Sequence, residues 1–276
     1  MTTSRGEVAE GARGGRALCL YGIIPGARVG PWLTDAGLQP VLYADLCAVV
    51  EPATPEAQQL QGEGVIDDLA AVAGLAARHI AVLEHVMQFS AVVPTRIGAV
   101  FSSVAAIAET LASEESRFRD LLERFEGHEE WAIHLQVDRP RLEAQVGARD
   151  AELERLAAAI AAAGPGMAYM HARLHDARVD ALVTERIDQA SDGVFDRVEG
   201  LASELVLLPS RAGPADGPTA VMSAATLIAT TARDPFCEQL RVVALELEEE
   251  GFTLEWTGPW PAYSFCNDLS EGGEGA

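Results

Sequence analysis

The chain has 276 residues, of which 49% are hydrophobic, so it can bury one large core or two modest ones. Its 42 acidic residues outnumber its 20 basic residues, all of them arginine, and the formal net charge is −22. An acidic surface repels phosphate backbones and anionic headgroups, so we expect neither nucleic acid nor a lipid membrane among its partners. The charge favours a well-solvated exterior, or a surface that keeps a sticky partner in solution.

No targeting signal is visible in the polar, glycine-rich first fifteen residues. The longest apolar stretch, 69–87, contains Arg78, His79 and Glu84, which favours a helix of a soluble domain over a membrane span. The four cysteines include no Cys-x-x-Cys pair, so we predict free thiols in a cytoplasmic protein.

The first half of the chain alternates strand-like and helix-like patterns. We predict strands over 17–24, 41–50 and 91–97 and helices over 64–89 and 104–125. Gly127 is expected to close the last of these helices as its C-cap. The polar ends of the chain, 1–15 and 270–276, are predicted to be disordered.

The second half has the order β-α-β-β-α-β, which is typical of a ferredoxin-like sheet. We predict strands over 130–137, 204–209, 220–230 and 252–257 and helices over 140–163, 167–201 and 234–250. The first two helices are separated only by Gly164-Pro165-Gly166, so they should form an antiparallel hairpin in place of the first helix of the motif.

The predicted fold class is therefore α+β with two domains. An N-terminal α+β domain is expected over 16–138, and a modified ferredoxin-like domain with an inserted helical hairpin over 139–269. The strand 130–137 is an alternative first strand of the second domain.

Catalytic and metal-binding patterns are weak. His171 and His175 share a helix face beside Asp176, but no further ligand pair supports a metal site. His79 and His85 do not have metalloprotease spacing, and neither a Gly-x-Ser-x-Gly elbow nor a phosphate-binding loop occurs. We expect no catalytic, metal or cofactor-binding residues, and no enzyme.

Arg96 is the most informative charged residue, because it lies between Pro94 and Gly98 directly after a predicted short strand. It is a candidate for an ion pair that ties helix to strand, for example with Glu84, or for a partner-binding role.

Near the C-terminus, two prolines fix the backbone around a tryptophan in a segment rich in aromatic residues. The candidate residues here are Trp260, Tyr263 and Phe265. We predict that they fold back over their own sheet and stabilise it, with a docking surface for a partner as the alternative.

This ending, Gly-Pro-Trp-Pro-Ala-Tyr-Ser-Phe, resembles the Gly-Pro-Trp-Pro-Pro-Tyr-Ser-Phe ending of the gas vesicle protein F/L family, with Ala262 in place of a proline. The resemblance runs from Leu18 to Phe265. Further matching segments are Leu20–Pro25, His79 with Val82-Leu83-Glu84, Val93–Phe101 (with Ile97 and Ala99 where the family has Phe and Thr), and Gly127 with Glu130-Trp131.

The resemblance implies a non-enzymatic accessory protein of gas vesicles with this two-domain fold and without a cofactor. It would assist nucleation and assembly of the shell, like a chaperone, by binding the main shell protein and limiting its aggregation. Other accessory proteins are further expected partners, and the expected location is the gas vesicle inside the cell. The alternatives are a purely structural minor component of the finished vesicle, or a ligand-binding or enzymatic ferredoxin-like domain.

Overall fold

The computed structural model describes residues 16–61, 69–209 and 217–266. The predicted disordered ends lie outside these residues. The described residues divide into two compact units: those up to Glu130 and from Pro259 to Cys266 form the N-terminal unit, and those from Trp131 to Gly258 form the C-terminal unit. Because contacts alone do not decide which stretch folds independently, the predicted domain ranges 16–138 and 139–269 stay predictions.

The N-terminal unit is built on a five-stranded sheet with the strand order β2-β3-β1-β4, in which β5 also pairs with β1. Its described helices and strands are β1 (Leu18–Pro25), α1 (Pro31–Asp35), β2 (Gln39–Tyr43), β3 (Leu46–Pro52), α2 (Pro55–Gln61), α3 (Leu69–Met87), β4 (Val93–Pro94), β5 (Val100–Phe101), α4 (Val104–Ser113) and α5 (Glu115–Phe125).

The core of this unit has two layers of side chains. On one face of the sheet, Val82 and Leu83 of α3 pack with Ile24 and Val49. Helix α4 contacts β2 and β3, and α5 contacts β1 and β3. The two helices bury a second apolar set, which includes Ile107 and the α5 residues Phe118, Leu121, Leu122 and Phe125. The central strands are therefore covered by helices on both faces, which explains their continuous apolar runs.

Gly22 lies beside a β-bulge of β1, where the register with β3 shifts between Leu20 and Gly22. A Cβ atom at Gly22 would lie 2.6 Å from Val92 Cγ2 and 2.9 Å from the carbonyl oxygen of Val93. Only glycine permits this close approach, so it allows the short strand β4 to pair with β1.

Helix α3 is long and apolar enough to cross a membrane by length and composition, a test that core helices of soluble proteins also pass. Its side chains Val82, Leu83 and Val86 lie in the core described above. The helix was predicted to begin at Gly64, but residues 62–68 lie outside the described part of the chain.

Two predicted elements of this unit were wrong in detail. The strand predicted over 41–50 is a hairpin of β2 and β3, in which Tyr43 pairs with Leu46 across a two-residue turn. Ala44 has φ of 50° there, a conformation that glycine or asparagine usually signals in a sequence. The helix predicted over 104–125 is interrupted at Glu114, whose φ of −110° is not helical.

The C-terminal unit contains a four-stranded sheet with the order β7-β8-β6-β9. In chain order this is 2-3-1-4, the ferredoxin-like arrangement, so the predicted fold class is confirmed. Its described elements are β6 (His128–Val137), α6 (Arg139–Gly147), α7 (Ala151–Ala162), α8 (Pro165–Glu199), β7 (Glu204–Leu207), β8 (Thr219–Ala229), α9 (Arg233–Glu248) and β9 (Phe252–Trp260).

The sheet of this unit packs against α9 and the second half of α8, whose apolar side chains share one core with Ile133, Leu135 and Phe252. The inserted hairpin of α7 and α8 is present as predicted. The single helix predicted over 140–163 was wrong, because it is two helices. The carboxylate of Asp150 accepts hydrogen bonds from the backbone N–H groups of Glu152 and Leu153 and so starts α7 anew.

Candidate functional site

The aromatic segment after β9 is largely buried in the N-terminal unit. Phe265 is 4% exposed, and Pro261, Ala262 and Cys266 are buried beside it. Trp260 is half-buried, whereas Tyr263 keeps 36% of its surface exposed. We call residues 259–266 the aromatic tail. The sequence placed it over the sheet of its own domain, and that placement is wrong, because the tail packs within the unit formed by residues up to Glu130.

Glu130 anchors the aromatic tail through both of its carboxylate oxygens. The backbone N–H of Ser264 donates to Oε2 at 2.9 Å, and the Ser264 hydroxyl donates to Oε1 at 2.8 Å. Burial raises the pKa of the Glu130 carboxyl, and these two hydrogen bonds offset part of the rise. Sequence reasoning did not name Glu130 as a site residue, although it quoted it within the motif around Gly127 and Trp131.

Arg124 of α5 holds the end of the aromatic tail. Its Nη1 donates to the carbonyl oxygen of Phe265 at 3.3 Å, and its guanidinium lies 5.8 Å from the centre of the Phe265 ring. The Cys266 thiol donates to the carbonyl oxygen of Ala262 at 3.1 Å, and burial raises its pKa to about 12. Because the thiolate is the reactive form of cysteine, this burial disfavours nucleophilic chemistry at Cys266.

His79 of α3 lies next to the ring of Tyr263, the exposed aromatic residue of the tail. It is 3% exposed, and its ring is 5.2 Å from that of Tyr21 and 6.4 Å from that of Tyr263. Burial lowers its pKa, which favours the neutral ring. Beside it, the carboxylate of Glu51 accepts hydrogen bonds from the Tyr21 hydroxyl and, at 2.6 Å, from Arg78. This network joins α3 to β1 and β3.

Arg96 lies on an exposed turn before Gly98, which has φ of +79°. The predicted pair of Arg96 with Glu84 is wrong: within the described residues Arg96 forms no ion pair, and Glu84 is itself exposed. The cause is the turn, which directs Arg96 and the 44%-exposed Ile97 into solvent. A shallow hollow of about 370 Å³ beside them is lined by Arg96, Ala99, Val100, Phe101, Ser102 and Ala106.

The remaining histidines do not assemble a reactive site. His85 lies 3.1 Å from the carbonyl oxygen of Trp32 and contacts the ring of Phe89. His175 lies 3.5 Å from the neighbouring carboxylate of Asp176. Within the described ranges no group of three or more His, Cys, Asp or Glu residues is placed to hold a metal ion. What the contacts around the tail do show is anchoring, by the hydrogen bonds from Ser264 to Glu130 and from Arg124 to the Phe265 carbonyl oxygen.

These features define a class: an α+β protein with a ferredoxin-like second sheet, a hairpin insertion and an aromatic C-terminal tail seated on the first unit. The sequence model of the family described as "Gas vesicle synthesis protein GvpL/GvpF" matches residues 17–267. The chain belongs to this family, and its role is that of a gas vesicle accessory protein.

Individual relatives agree with this assignment. The chain is 28% identical to gas vesicle protein L2 of Halobacterium salinarum over 210 residues, 74% of either chain. It is 27% identical to gas vesicle protein L of a Streptomyces species over 219 residues, 75% of this chain and 74% of that one. The crystal structure of gas vesicle protein GvpF from Anabaena sp. PCC7120 matches 91% of this chain and 98% of its own length, with a TM-score of 0.68 and 16% identity. This last similarity confirms the fold.

Proposed function

We propose that this protein binds the main gas vesicle shell protein, keeps its subunits from aggregating, and assists nucleation and assembly of the shell. Other gas vesicle accessory proteins are further partners. The protein acts at the gas vesicle, inside the cell. A wall that encloses gas needs subunits with a strongly apolar surface, and such subunits aggregate before they assemble.

The observation that carries the proposal is the combination of high net negative charge with exposed large apolar side chains. The chain carries a net charge of −22, yet leucine, methionine, isoleucine and phenylalanine side chains on both units are more than 40% exposed. Charge keeps a complex soluble, while exposed apolar side chains offer contacts to an apolar subunit. Among them are Phe89, Ile97, Met167, Met170 and Leu174.

The test combines capture with a measurement of aggregation. We expect the tagged protein, co-expressed with each gas vesicle protein in turn, to retain the main shell protein. Purified protein added to refolding shell protein should lower its light scattering in proportion to the amount added. An equally acidic unrelated protein is the control for charge alone. Retention without any effect on scattering would contradict the chaperone-like role, and presence only in washed, intact vesicles would favour a structural component.

A further inference from the structure

The hairpin of the C-terminal unit is covered along only part of its length. Helix α8 has 35 residues, about 50 Å at 1.5 Å per residue. Its buried side chains all lie in its second half: Val183, Ala190, Val194 and Val198. We call residues 155–175, the end of α7 and the beginning of α8, the hairpin tip.

The hairpin tip exposes large apolar side chains. Met167, Tyr169, Met170 and Leu174 are 58%, 62%, 54% and 55% exposed. The spacing of Met167, Met170 and Leu174 places them on one face of α8. A protein surface seldom keeps such a stripe in water without a partner, and methionine side chains adapt to partners of varied shape.

The charge of the hairpin tip differs from that of the rest of the chain. Residues 155–175 include no aspartate or glutamate, although about one residue in seven of the whole chain is acidic. Arg155 pairs with Glu152 at 2.9 Å, and Arg178, below the tip, pairs with Asp150 at 2.7 Å. Arg173, between Met170 and Leu174, forms no ion pair in the described part of the chain. An apolar stripe beside an available guanidinium selects a partner that brings a carboxylate.

We propose that the hairpin tip is a docking surface for an amphipathic helix whose aliphatic face is bordered by acidic residues. The aliphatic face packs on Met167, Met170 and Leu174, and a carboxylate on its border pairs with Arg173. This inference rests on the proposed function, in which the shell protein supplies the helix. The single available arginine is too little for an anionic membrane surface, which clusters of four to eight basic residues recognise.

The first experiment uses two synthetic helical peptides of about 18 residues, long enough for five turns. Both have the same leucine-alanine face, bordered by glutamates in one and by lysines in the other. Their binding to the full-length protein is measured by fluorescence anisotropy at physiological salt. The overall charge of −22 favours the lysine peptide, so tighter binding of the glutamate peptide would reflect the hairpin tip itself.

Three variants locate the binding. Leu174→Glu should weaken the binding of the glutamate-bordered peptide by about tenfold or more, because a central apolar anchor is lost. Leu245→Glu, at a 63%-exposed leucine of α9, is the matched control and should change affinity by less than about twofold. Arg173→Glu should reverse the preference between the two peptides. Circular dichroism and urea unfolding check that each variant is folded.

The outcomes separate this inference from the proposed function. Binding of the lysine peptide only, or an equal effect of both leucine variants, would overturn the docking surface. A dimer in light scattering that Leu174→Glu dissociates would assign the stripe to a second copy, and would overturn the proposed occupant. If the peptides behave as expected but the shell protein is not captured, the proposed function is wrong, while the docking surface for a helix bordered by acidic residues stands. If Leu174→Glu still captures the shell protein, the docking surface fails alone.

Discussion

The aromatic tail and the hairpin tip are both rich in large apolar side chains, but the structure treats them in opposite ways. In the tail, Phe265 is 4% exposed, and a buried glutamate and an arginine hold the segment in place. In the hairpin tip, four large side chains within eight residues are more than half exposed, and Arg173 beside them has no carboxylate partner in the described residues. Anchoring groups, more than apolar content, distinguish a structural segment from a candidate interface.

Of the two regions, the aromatic tail should contribute more to the stability of the protein. Phe265→Ala removes a buried ring and leaves a cavity, so we expect the free energy of unfolding to fall by about 3–5 kcal/mol. This is a large share of the roughly 5–15 kcal/mol that stabilises an ordinary domain. Urea unfolding followed by circular dichroism measures the change.

The matched control for this prediction is Tyr169→Ala in the hairpin tip, where the ring is 62% exposed. We expect a change within about 0.5 kcal/mol, as for ordinary surface positions. Similar losses for Phe265→Ala and Tyr169→Ala would mean that the two regions do not differ in the way their burial indicates.

Substitutions of Glu130, which anchors the tail, should have the next largest effect on the free energy of unfolding. Glu130→Ala leaves the Ser264 N–H without its acceptor, and an unsatisfied buried donor costs about 1–3 kcal/mol. Glu130→Gln keeps one acceptor oxygen and should cost less, because the amide nitrogen can donate to the Ser264 hydroxyl. Equal losses for the two variants would show that packing, rather than hydrogen bonding, holds the tail.

The difference in stability between the wild type and Glu130→Gln should depend on pH, and the direction of this dependence follows from the pKa of Glu130. Burial raises the folded-state pKa of Glu130 above its ordinary value of 4.5, despite the hydrogen bonds from Ser264. Its contribution to stability is therefore fully present below the unfolded pKa and is lost as pH rises through the folded pKa. The stability of the wild type relative to Glu130→Gln should therefore fall as the pH rises above the ordinary glutamate pKa of 4.5. A constant difference would contradict the raised pKa.

Helix α8 carries the comparison within a single element. Val194, in its second half, is 1% exposed, so Val194→Ala should lower the free energy of unfolding by about 1–2 kcal/mol. Met170→Ala removes a larger side chain from the exposed half and should change it by less than about 0.5 kcal/mol. Urea unfolding of both variants is the measurement, and a larger loss for Met170→Ala would show that the tip is covered by contacts within the folded protein.

The sequence predicted the strand order of the C-terminal unit well, because its Gly and Pro residues separate apolar runs of the right lengths. It did not predict the turn at Ala44, which adopts a positive φ without a glycine or asparagine signal. The sequence did not predict the anchoring role of Glu130 either, for a different reason. Glu130 and Ser264 are 134 residues apart, and local patterns do not show which distant groups will pair. Periodicity likewise placed α8 correctly but did not show which half of it would be covered.

The rate of methionine oxidation should also differ between covered and exposed apolar surface, and this is the prediction with the smallest expected effect on stability. Met167 and Met170 of the hairpin tip are 58% and 54% exposed, whereas Met222 of β8 is 5% exposed. Mild peroxide should convert the first two to sulfoxides well before Met222, as measured by peptide mass spectrometry, because accessible thioethers react first. The free energy of unfolding should change by less than about 0.5 kcal/mol while only these two are oxidised. Slow oxidation of both in the isolated protein would mean that something already covers the tip. Protection that appears only when the glutamate-bordered peptide is added would place that peptide on Met167 and Met170.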